Sequence, residues 1–362
     1  MQKRICYVTE VDLDEIGGAV TNDMKTIRCL EKLGDVDTIY LQRRRCGSMV
    51  VALFLYAFRI LRSISKPYEV YFSRGLISSF ILLLLKPFHG KKLVHQGLSV
   101  PFPSGETKYF PHSKLESLIR YCLFRFLERI VLPNVDIVTV AAEDYSERLM
   151  RAGVRKGDIE VIPFSVGDDF FKQLIKSEVG ENFEFCYVGR FHLYHGLLPL
   201  VEAFDLIDWS EKSIELLLVG DGPQRSLVQK DVVRRRLNGK IKFTGIIPHS
   251  SLSSFLSKVD CFILFSHTSG IPIGILEAAA AGKPIITLRQ KEDSTLSRYF
   301  RHGKDIYMIT TFSVAEIAKA LELLYKDSQL RNTLARGARQ VAERHFSEDA
   351  TLHQLQRLLN SL

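Results

Sequence analysis

The sequence has few of the features that mark secreted, metal-binding or membrane-spanning proteins. Its 362 residues include six cysteines without a CxxC pair, which argues against a zinc site or a disulfide framework. The longest apolar runs, VVALFLYAF and FILLLL, fall short of the roughly 18–20 residues that span a bilayer. The N-terminal MQKRICYVTEVD lacks the apolar core of a signal peptide. We therefore expect a cytoplasmic protein that is soluble or lies on a membrane surface.

Motifs for metal-dependent or nucleophilic catalysis are also missing. The sequence has no HExxH, no GxSxG and no P-loop. Asp168 and Asp169 are adjacent in the way that a metal-binding acidic pair would be. Acids in a linker are usually solvated, however, so no metal is expected.

Positive charge is concentrated in one part of the chain. The net charge is +8, and the segment from Arg43 to Arg129 carries many lysines and arginines against only four glutamates. Basic residues alternate there with apolar helical segments such as LFLYAFRILRSISK, a pattern typical of a face for anionic lipid or an anionic substrate. A solvated charged face on ordinary core helices is the alternative interpretation. Nucleic acid is not an expected partner, because no recognition-helix, RNA-binding or OB-type signature accompanies the charge.

Strand-like and helix-like segments alternate along the chain, which predicts an α/β fold with parallel sheets covered by helices. We expect an N-terminal domain at 1–166, a linker at 167–182, a C-terminal domain at 183–345 and a final amphipathic helix at 346–362. The first helix is expected at about 21–33, and the second strand at TIYLQ. Five strands are expected in the C-terminal domain: FEFCYVG, IELLLVG, IKFTG, CFILFS and PIITL.

Two candidate site positions in the N-terminal half follow strands, where open α/β sheets bind ligands. Gly17 and Gly18 come one turn after the first strand and precede a helix, so their N–H groups can approach a diphosphate. A plain turn is the alternative for this pair. His95 ends the strand KLVH and is expected at the ligand-binding edge of the sheet, and a surface or internally hydrogen-bonded histidine is the alternative.

Four ordered segments between Phe185 and Thr287 are the most informative part of the sequence. They read FCYVGRFHLYHG, LLLVGDGPQ, KFTGIIPHSSLSSFLSKVDCFILFS and HTSGIPIGILEAAAAGKPIIT. Together they resemble the donor-binding half of a family-4 type retaining glycosyltransferase of the GT-B fold (glycosyl transferases group 1). The resemblance implies two Rossmann-like domains whose parallel sheets face a central cleft, with the last helix crossing back onto the N-terminal domain.

The resemblance also implies an activity. A sugar would pass from a nucleoside-diphosphate donor, bound by the C-terminal domain, to a saccharide or lipid-linked acceptor held by the N-terminal domain. No metal or other cofactor is expected. Surface polysaccharide or glycolipid synthesis would be the setting, with the protein in the cytoplasm or peripheral on the cytoplasmic membrane face.

Several residues receive roles from this resemblance. Arg190 and His195 match the family's diphosphate-binding pair, with His195 standing where a lysine is usual. Glu277 would accept the ribose hydroxyls, and its alternative is a helix N-terminal acid stabilised by the dipole. Ile246 and Ile247 would contact the base. His95 would contact the donor sugar.

One residue departs from the family pattern. The loop of Gly270, Ile271, Pro272 and Ile273 would present backbone N–H groups to the phosphate and the sugar. Ser269 lies eight positions before Glu277, where the family's first glutamate contacts the donor sugar. Serine brings no charge to an oxocarbenium-like centre. A different donor sugar, compensation by a neighbour such as His267, and lost activity are the three explanations.

Two further functions therefore stay open beside the transferase. One is a catalytically silent GT-B protein that binds a nucleotide sugar or partners an active transferase. The other is a sugar-nucleotide epimerase or hydrolase of similar fold.

Overall fold

The protein divides into two compact units in the computed structural model. Met1–Ser165 and Thr351–Leu362 form unit 1, and Val166–Ala350 form unit 2. The structure describes residues 3–14, 18–42, 48–97, 114–173, 182–209, 213–266, 270–292 and 294–362, without the side chains of residues 18, 19, 114–121 and 194. Each unit contains its own six-stranded sheet.

Unit 1 alternates strands and helices. Its elements are β1 (Lys3–Thr9), α1 (Gly18–Glu31), β2 (Gly34–Tyr40), α2 (Met49–Ser63), β3 (Val70–Arg74), α3 (Leu76–His89), β4 (Lys92–Gly97), α4 (Lys114–Val131), β5 (Ile137–Val140), α5 (Ser146–Arg151) and β6 (Ile159–Val161). The strands pair in parallel in the order β2-β1-β3-β4-β5-β6.

Both faces of this sheet are buried. Alternate side chains of β1 point to opposite faces, because a strand has a period of two. Cys6 belongs to a core cluster that includes Tyr56 of α2, and Tyr7 to a second cluster that includes Ile27 of α1. Helices therefore cover the sheet on both sides, and the predicted α/β class is confirmed in this unit.

Unit 2 repeats the pattern. Its elements are α6 (Asp168–Phe171), β7 (Phe183–Val188), α7 (Leu197–Asp205), β8 (Ile214–Val219), α8 (Arg225–Arg234), β9 (Ile241–Gly245), α9 (His249–Lys258), β10 (Cys261–Leu264), α10 (Ile273–Ala280), β11 (Ile285–Leu288), α11 (Thr295–Tyr299), β12 (Tyr307–Ile309), α12 (Val314–Lys326) and α13 (Ser328–His345). The strands are parallel in the order β12-β11-β10-β7-β8-β9.

Three sequence expectations differ from the structure. Helix α1 begins at Gly18 rather than near Thr21. Strand β2 begins at Gly34, well before TIYLQ, because its place at the sheet edge tolerates the polar Asp35. Strand β12 was not expected; it has only three residues and pairs with β11 alone, so its sequence carries too short a pattern to predict it.

Most of the last helix, α14 (Glu348–Ser361), belongs to unit 1. Its Leu355 and Leu358 pack in the same core cluster as Ile5 and Val70 of unit 1. At the other boundary, the N–H of Val166 donates to the carbonyl of Phe346, 2.7 Å away, within unit 2. Unit 2 thus begins before the segment expected as a linker at 167–182.

Candidate functional site

The strand order of unit 2 creates a switch point between β7 and β10. From β7 the chain proceeds through β8 to β9 on one side, and from β10 through β11 to β12 on the other. The loops that follow β7 and β10 therefore leave the sheet in opposite directions. Such a point opens a crevice at the carboxyl ends of the strands, where α/β proteins bind their ligands.

Arg190 lies in the loop after β7 and is exposed. The hydroxyl of Tyr187 donates to the Arg190 carbonyl at 2.8 Å, which fixes the backbone of the loop. The guanidinium forms no ion pair with any residue that the structure describes. Arg190 thus presents a positive charge at the switch point.

The loop after β8 forms backbone hydrogen bonds with the Arg190 loop. The N–H of Phe191 donates to the Asp221 carbonyl at 2.9 Å, and the N–H of Gln224 donates to the Phe191 carbonyl at 3.1 Å. A Cβ on Gly220 would lie 2.0 Å from the Gly189 carbonyl oxygen, so only glycine fits this close approach. The Gly-Asp-Gly turn is therefore architectural and holds the Arg190 loop in place.

His195 connects the two loops of the switch point. Its Nδ1 lies 3.2 Å from the carbonyl oxygen of Phe265, which follows β10. A carbonyl oxygen can only accept, so Nδ1 carries the proton and donates it. In the neutral ring Nε2 is then an acceptor, and it becomes a second N–H donor only when the ring is protonated.

Two helices begin at this edge without a side-chain cap. Helix α7 follows Gly196 (φ 62°), and helix α10 follows Pro272. A Cβ on Gly274, in the first turn of α10, would lie 3.6 Å from the Val188 carbonyl oxygen and from Leu264 Cδ2. The N-terminus of α10 therefore lies against the ends of β7 and β10. Uncapped first-turn N–H groups and the helix dipole favour an anion here.

Glu277 lies in the second turn of α10 and is 4% exposed. Its Oε1 accepts a hydrogen bond from Nε2 of His249, 2.7 Å away. His249 is the first residue of α9 and directly follows the segment Ile246, Ile247 and Pro248. Ile246 is 76% exposed and Ile247 is half-buried. The structure thus brings the predicted base-contacting segment next to the predicted ribose carboxylate.

Gly270 has a left-handed backbone (φ +81°), and its carbonyl accepts from Nε2 of Gln290 at 3.3 Å. Gln290 therefore supports the loop that leads to Ile271, Pro272 and Ile273. Ser269 lies outside the described residues, as does its neighbour His267. The sugar-contacting role of Ser269 stays a prediction.

His95 lies inside β4 of unit 1, two residues before the strand ends at Gly97, and is buried. The expectation that His95 ends this strand is therefore wrong. Its Nδ1 lies 2.7 Å from Oγ of Ser79, which is also 2.7 Å from Oγ of Ser73 and 3.0 Å from the Gly75 carbonyl. Burial lowers the pKa of His95 to about 4, so the ring is neutral at physiological pH. Gly17 lies outside the described residues.

The switch point of unit 1 lies between β1 and β3. Charged side chains of unit 1 itself lie there. The buried carboxylate of Asp23 pairs with Arg74 at the end of β3 and accepts from Thr9 Oγ1 at 2.7 Å. Glu10 Oε1 accepts from the N–H of Ser78 at 2.9 Å, in the first turn of α3. These contacts give the charged groups at the strand ends partners within unit 1.

Sequence reasoning missed three supporting residues: His249, Gln290 and Ser79. Gln290 and Ser79 lie in no recognisable motif, and His249 lies in the third of the four ordered segments without an assigned role. Each acts on a residue distant in sequence. The position of His249, directly after the predicted base-contacting segment, was the single available signal. Among the described residues there is no group of three or more side chains that could hold a metal ion.

Comparison with known proteins identifies this region. The family model for glycosyl transferases group 1 matches residues 169–341. The chain carries a glycosyl transferases group 1 domain. This domain contains the whole switch point of unit 2, from Arg190 to Glu277.

Two curated relatives each match about half of this chain. The chain is 25% identical over 169 residues to the alpha-D-kanosaminyltransferase of Streptomyces kanamyceticus, covering 47% of this chain and 43% of that one. It is 27% identical over 174 residues to the lipopolysaccharide core biosynthesis glycosyltransferase LpsE of Rhizobium meliloti, covering 48% of each. The chain thus spans about half the length of these relatives.

A solved structure extends the likeness beyond the group 1 domain to the whole chain. Anabaena HepE, solved in complex with UDP, superposes with a TM-score of 0.75 at 15% identity, covering 99% of this chain and 100% of that one. At this identity the likeness shows the fold alone. The GT-B fold expected from the sequence is confirmed.

Proposed function

We propose that the protein is a retaining glycosyltransferase that moves a sugar from a nucleoside-diphosphate sugar to a saccharide or lipid-linked acceptor. The observation that carries the proposal is the switch point of unit 2. An exposed arginine, a histidine and two uncapped helix N-termini surround it, and a buried carboxylate lies in the second turn of one of these helices. This combination suits a diphosphate joined to a ribose.

The donor is assigned to unit 2 as follows. Arg190, His195 and the N-termini of α7 and α10 bind the diphosphate. Glu277 accepts the ribose hydroxyls, and Ile246 and Ile247 pack against the base.

The same groups assist departure of the leaving group. When the bond between the sugar C1 and the diphosphate oxygen breaks, negative charge develops on that oxygen, and the cations and helix dipoles stabilise it. The acceptor hydroxyl bonds to C1 on the same face, and its proton passes to the departing diphosphate. Ser269 and the loop of Gly270, Ile271, Pro272 and Ile273 hold the sugar.

The names of the relatives support a setting for this reaction. LpsE is named for lipopolysaccharide core biosynthesis, and HepE was solved with UDP bound. We assign the present protein to surface polysaccharide or glycolipid synthesis on this basis.

A ligand screen tests the donor assignment first. UDP, GDP and ADP and their sugars are added to the protein, and thermal unfolding is followed. A ligand at 100 times its Kd adds about 2.7 kcal/mol to the free energy of unfolding. Arg190→Gln should remove about half of this gain or more, whereas Arg234→Gln, an exposed arginine on α8, should keep it.

Turnover then separates the three functions. A transferase releases the nucleoside diphosphate only with an acceptor, and the sugar appears on that acceptor. Tight binding without turnover over a panel of donors and acceptors would identify a silent binder instead. Release of free sugar without an acceptor would identify an epimerase or hydrolase.

We assign a membrane-binding surface to helices α2, α3 and α4 of unit 1. Helix α2 packs on α3, and α3 on α4. Among the described side chains of these helices, the apolar ones that are more than half exposed are Val50, Phe54, Phe58, Leu84, Phe88, Leu123 and Phe126. Exposed Arg59, Arg62, Lys91 and Lys92 belong to the same unit. No described helix is long and apolar enough to cross a bilayer. We assign this surface to the headgroup region of an anionic membrane.

Vesicle sedimentation tests this assignment. The parent should pellet with vesicles that contain phosphatidylglycerol and stay in solution with phosphatidylcholine alone, and added salt should weaken the binding. Phe54→Glu with Phe88→Glu should abolish pelleting. Leu227→Glu with Val233→Glu introduces the same charge at exposed apolar positions of α8 and should leave pelleting unchanged. Equal loss in both double variants would contradict the assignment.

A further inference from the structure

The hydrogen bond between His249 and Glu277 joins two separate parts of the group 1 domain. His249 begins α9, directly after the segment assigned to the base, and Glu277 lies 28 residues later in α10. The Glu277 side chain is 6% exposed, whereas the His249 side chain is 48% exposed. The carboxylate is therefore almost closed to water, and the imidazole supplies one of its hydrogen bonds.

The direction of this bond follows from the chemistry of the two groups. A carboxylate accepts, so Nε2 of His249 must carry the proton that it shares with Oε1. The bond holds one carboxylate oxygen at 2.7 Å and thereby sets the rotation of the carboxylate plane. The other oxygen, and the second lone pair of the first, are then oriented for further donors.

A second contact fixes the imidazole itself. The ring of Phe170, which is fully buried in α6, lies with its centroid 5.7 Å from that of His249, at 52° between the ring planes. His249 is thus positioned by a ring contact on one element and by a carboxylate on another. The two contacts belong to different chemical classes, so substitutions can remove them separately.

We infer that His249 is a positioning residue for ribose recognition, which orients Glu277 so that the site selects ribonucleotides over 2′-deoxyribonucleotides. The inference rests on the proposed nucleotide-binding function of unit 2. Carboxylates that accept two vicinal hydroxyls need a defined plane, and a neighbouring donor that fixes this plane strengthens the hydroxyl contacts. His249 acts through Glu277 and does not itself touch the substrate.

The test compares ribose and deoxyribose ligands. Dissociation constants are measured by calorimetry for UDP, GDP and ADP and for their 2′-deoxy counterparts. His249→Phe keeps a ring beside Phe170 and removes the donor, whereas His249→Gln keeps an N–H donor and removes the ring. For the nucleotide that binds the parent, His249→Phe should raise the Kd of the ribose form roughly three- to tenfold and that of the deoxy form less than about twofold. His249→Gln should restore most of the preference.

Two results would overturn the inference, and they are distinguishable. If the parent binds none of the three diphosphates, the proposed function fails and the inference fails with it. If the parent binds but His249→Phe weakens the ribose and deoxy forms equally, nucleotide binding stands and the positioning role is wrong. Ser250→Ala, at the next and exposed position of α9, serves as the matched control and should change neither constant.

Discussion

The two units share one architecture but differ at the switch points of their sheets. In unit 1 the charged groups at the strand ends have partners within the unit, since Asp23 pairs with Arg74 and Glu10 accepts from the N–H of Ser78 in the first turn of α3. In unit 2 Arg190 is exposed, and α7 and α10 begin without a side-chain cap. One fold thus forms an edge whose charged groups are satisfied within the unit and, by our proposal, an anion-binding edge in the other unit.

The comparison teaches that the fold class does not by itself locate a ligand. A parallel sheet provides a switch point in each unit, and the loop residues decide whether the protein or a ligand satisfies the polar groups there. Removing a charge should therefore affect a different property in each unit. In unit 1 it should lower stability, and in unit 2 it should lower affinity.

The largest expected effect is on the buried pair in unit 1. Asp23→Ala removes the fully buried carboxylate that pairs with the largely buried Arg74 and should lower the free energy of unfolding by about 3–5 kcal/mol. Urea unfolding is followed by far-ultraviolet circular dichroism for both units and by fluorescence of Trp209, the single tryptophan, for unit 2. The dichroism midpoint should fall, and the fluorescence midpoint should stay.

Two variants control this result. Glu147→Ala removes an exposed pair with Arg151 and should cost less than about 1 kcal/mol. Asp23→Leu combined with Arg74→Met replaces the pair with apolar groups and should recover much of the loss. If the double variant is as unstable as Asp23→Ala, an uncompensated charge is not the cause.

The buried histidine of unit 1 should make stability depend on pH. Burial lowers the pKa of His95 from 6.5 to about 4, so the unfolded chain binds a proton in the window between these values and the folded chain does not. Stability should therefore rise with pH from about 4 to about 6.5, by about 3 kcal/mol in total. His95→Gln should remove this part of the slope. His353→Gln, an exposed position on α14, should not. Unchanged slopes in both variants would contradict the prediction.

In unit 2 the expected effect of a lost charge is on binding. Arg190→Gln should raise the Kd of the nucleoside diphosphate about 10- to 100-fold, because a charge-assisted hydrogen bond to phosphate is worth roughly 1.5–3 kcal/mol. Calorimetry measures the constant, and urea unfolding should show no loss of stability. A variant that unfolds more easily and binds normally would show that the two units do not differ in the way described.

Sequence patterns predicted the features that depend on residues close to one another in the chain. Alternating apolar runs located most strands, and glycines at strand ends located the loops that hold Arg190 and Gly270. Both features depend on neighbouring residues, since periodicity reports burial and a left-handed backbone favours glycine. The fold and the place of the candidate site could therefore be predicted before the structure was known.

Contacts between distant residues could not be predicted in this way. The bond from His249 to Glu277 depends on how α9 and α10 pack, and the pair of Asp23 with Arg74 on how α1 lies over β3. No local pattern encodes either distance. Strand β12 was missed for a related reason, because three residues are too few for a periodic signal.

The smallest expected effect concerns His195, whose charge should tune the anion-binding edge. Its Nδ1 donates to the Phe265 carbonyl at 3.2 Å, so Nε2 can donate to a phosphate oxygen only when the ring is protonated. Affinity for the nucleoside diphosphate should therefore fall as pH rises from about 6 to about 8, by about tenfold at most. His195→Lys, which stays charged over this range, should remove the decline.

The ligand itself also titrates, and the comparison between variants corrects for this. The terminal phosphate loses a proton near neutral pH, at about 6, which strengthens its attraction to a fixed cation as pH rises. In His195→Lys the pH dependence of the dissociation constant comes from the phosphate alone. In the parent it comes from the phosphate together with the loss of the imidazolium charge. The ratio of the two dissociation constants at each pH therefore isolates His195. A ratio that does not change with pH would show that the imidazole does not bind phosphate, and Arg190 with the helix N-termini would then account for the anion site.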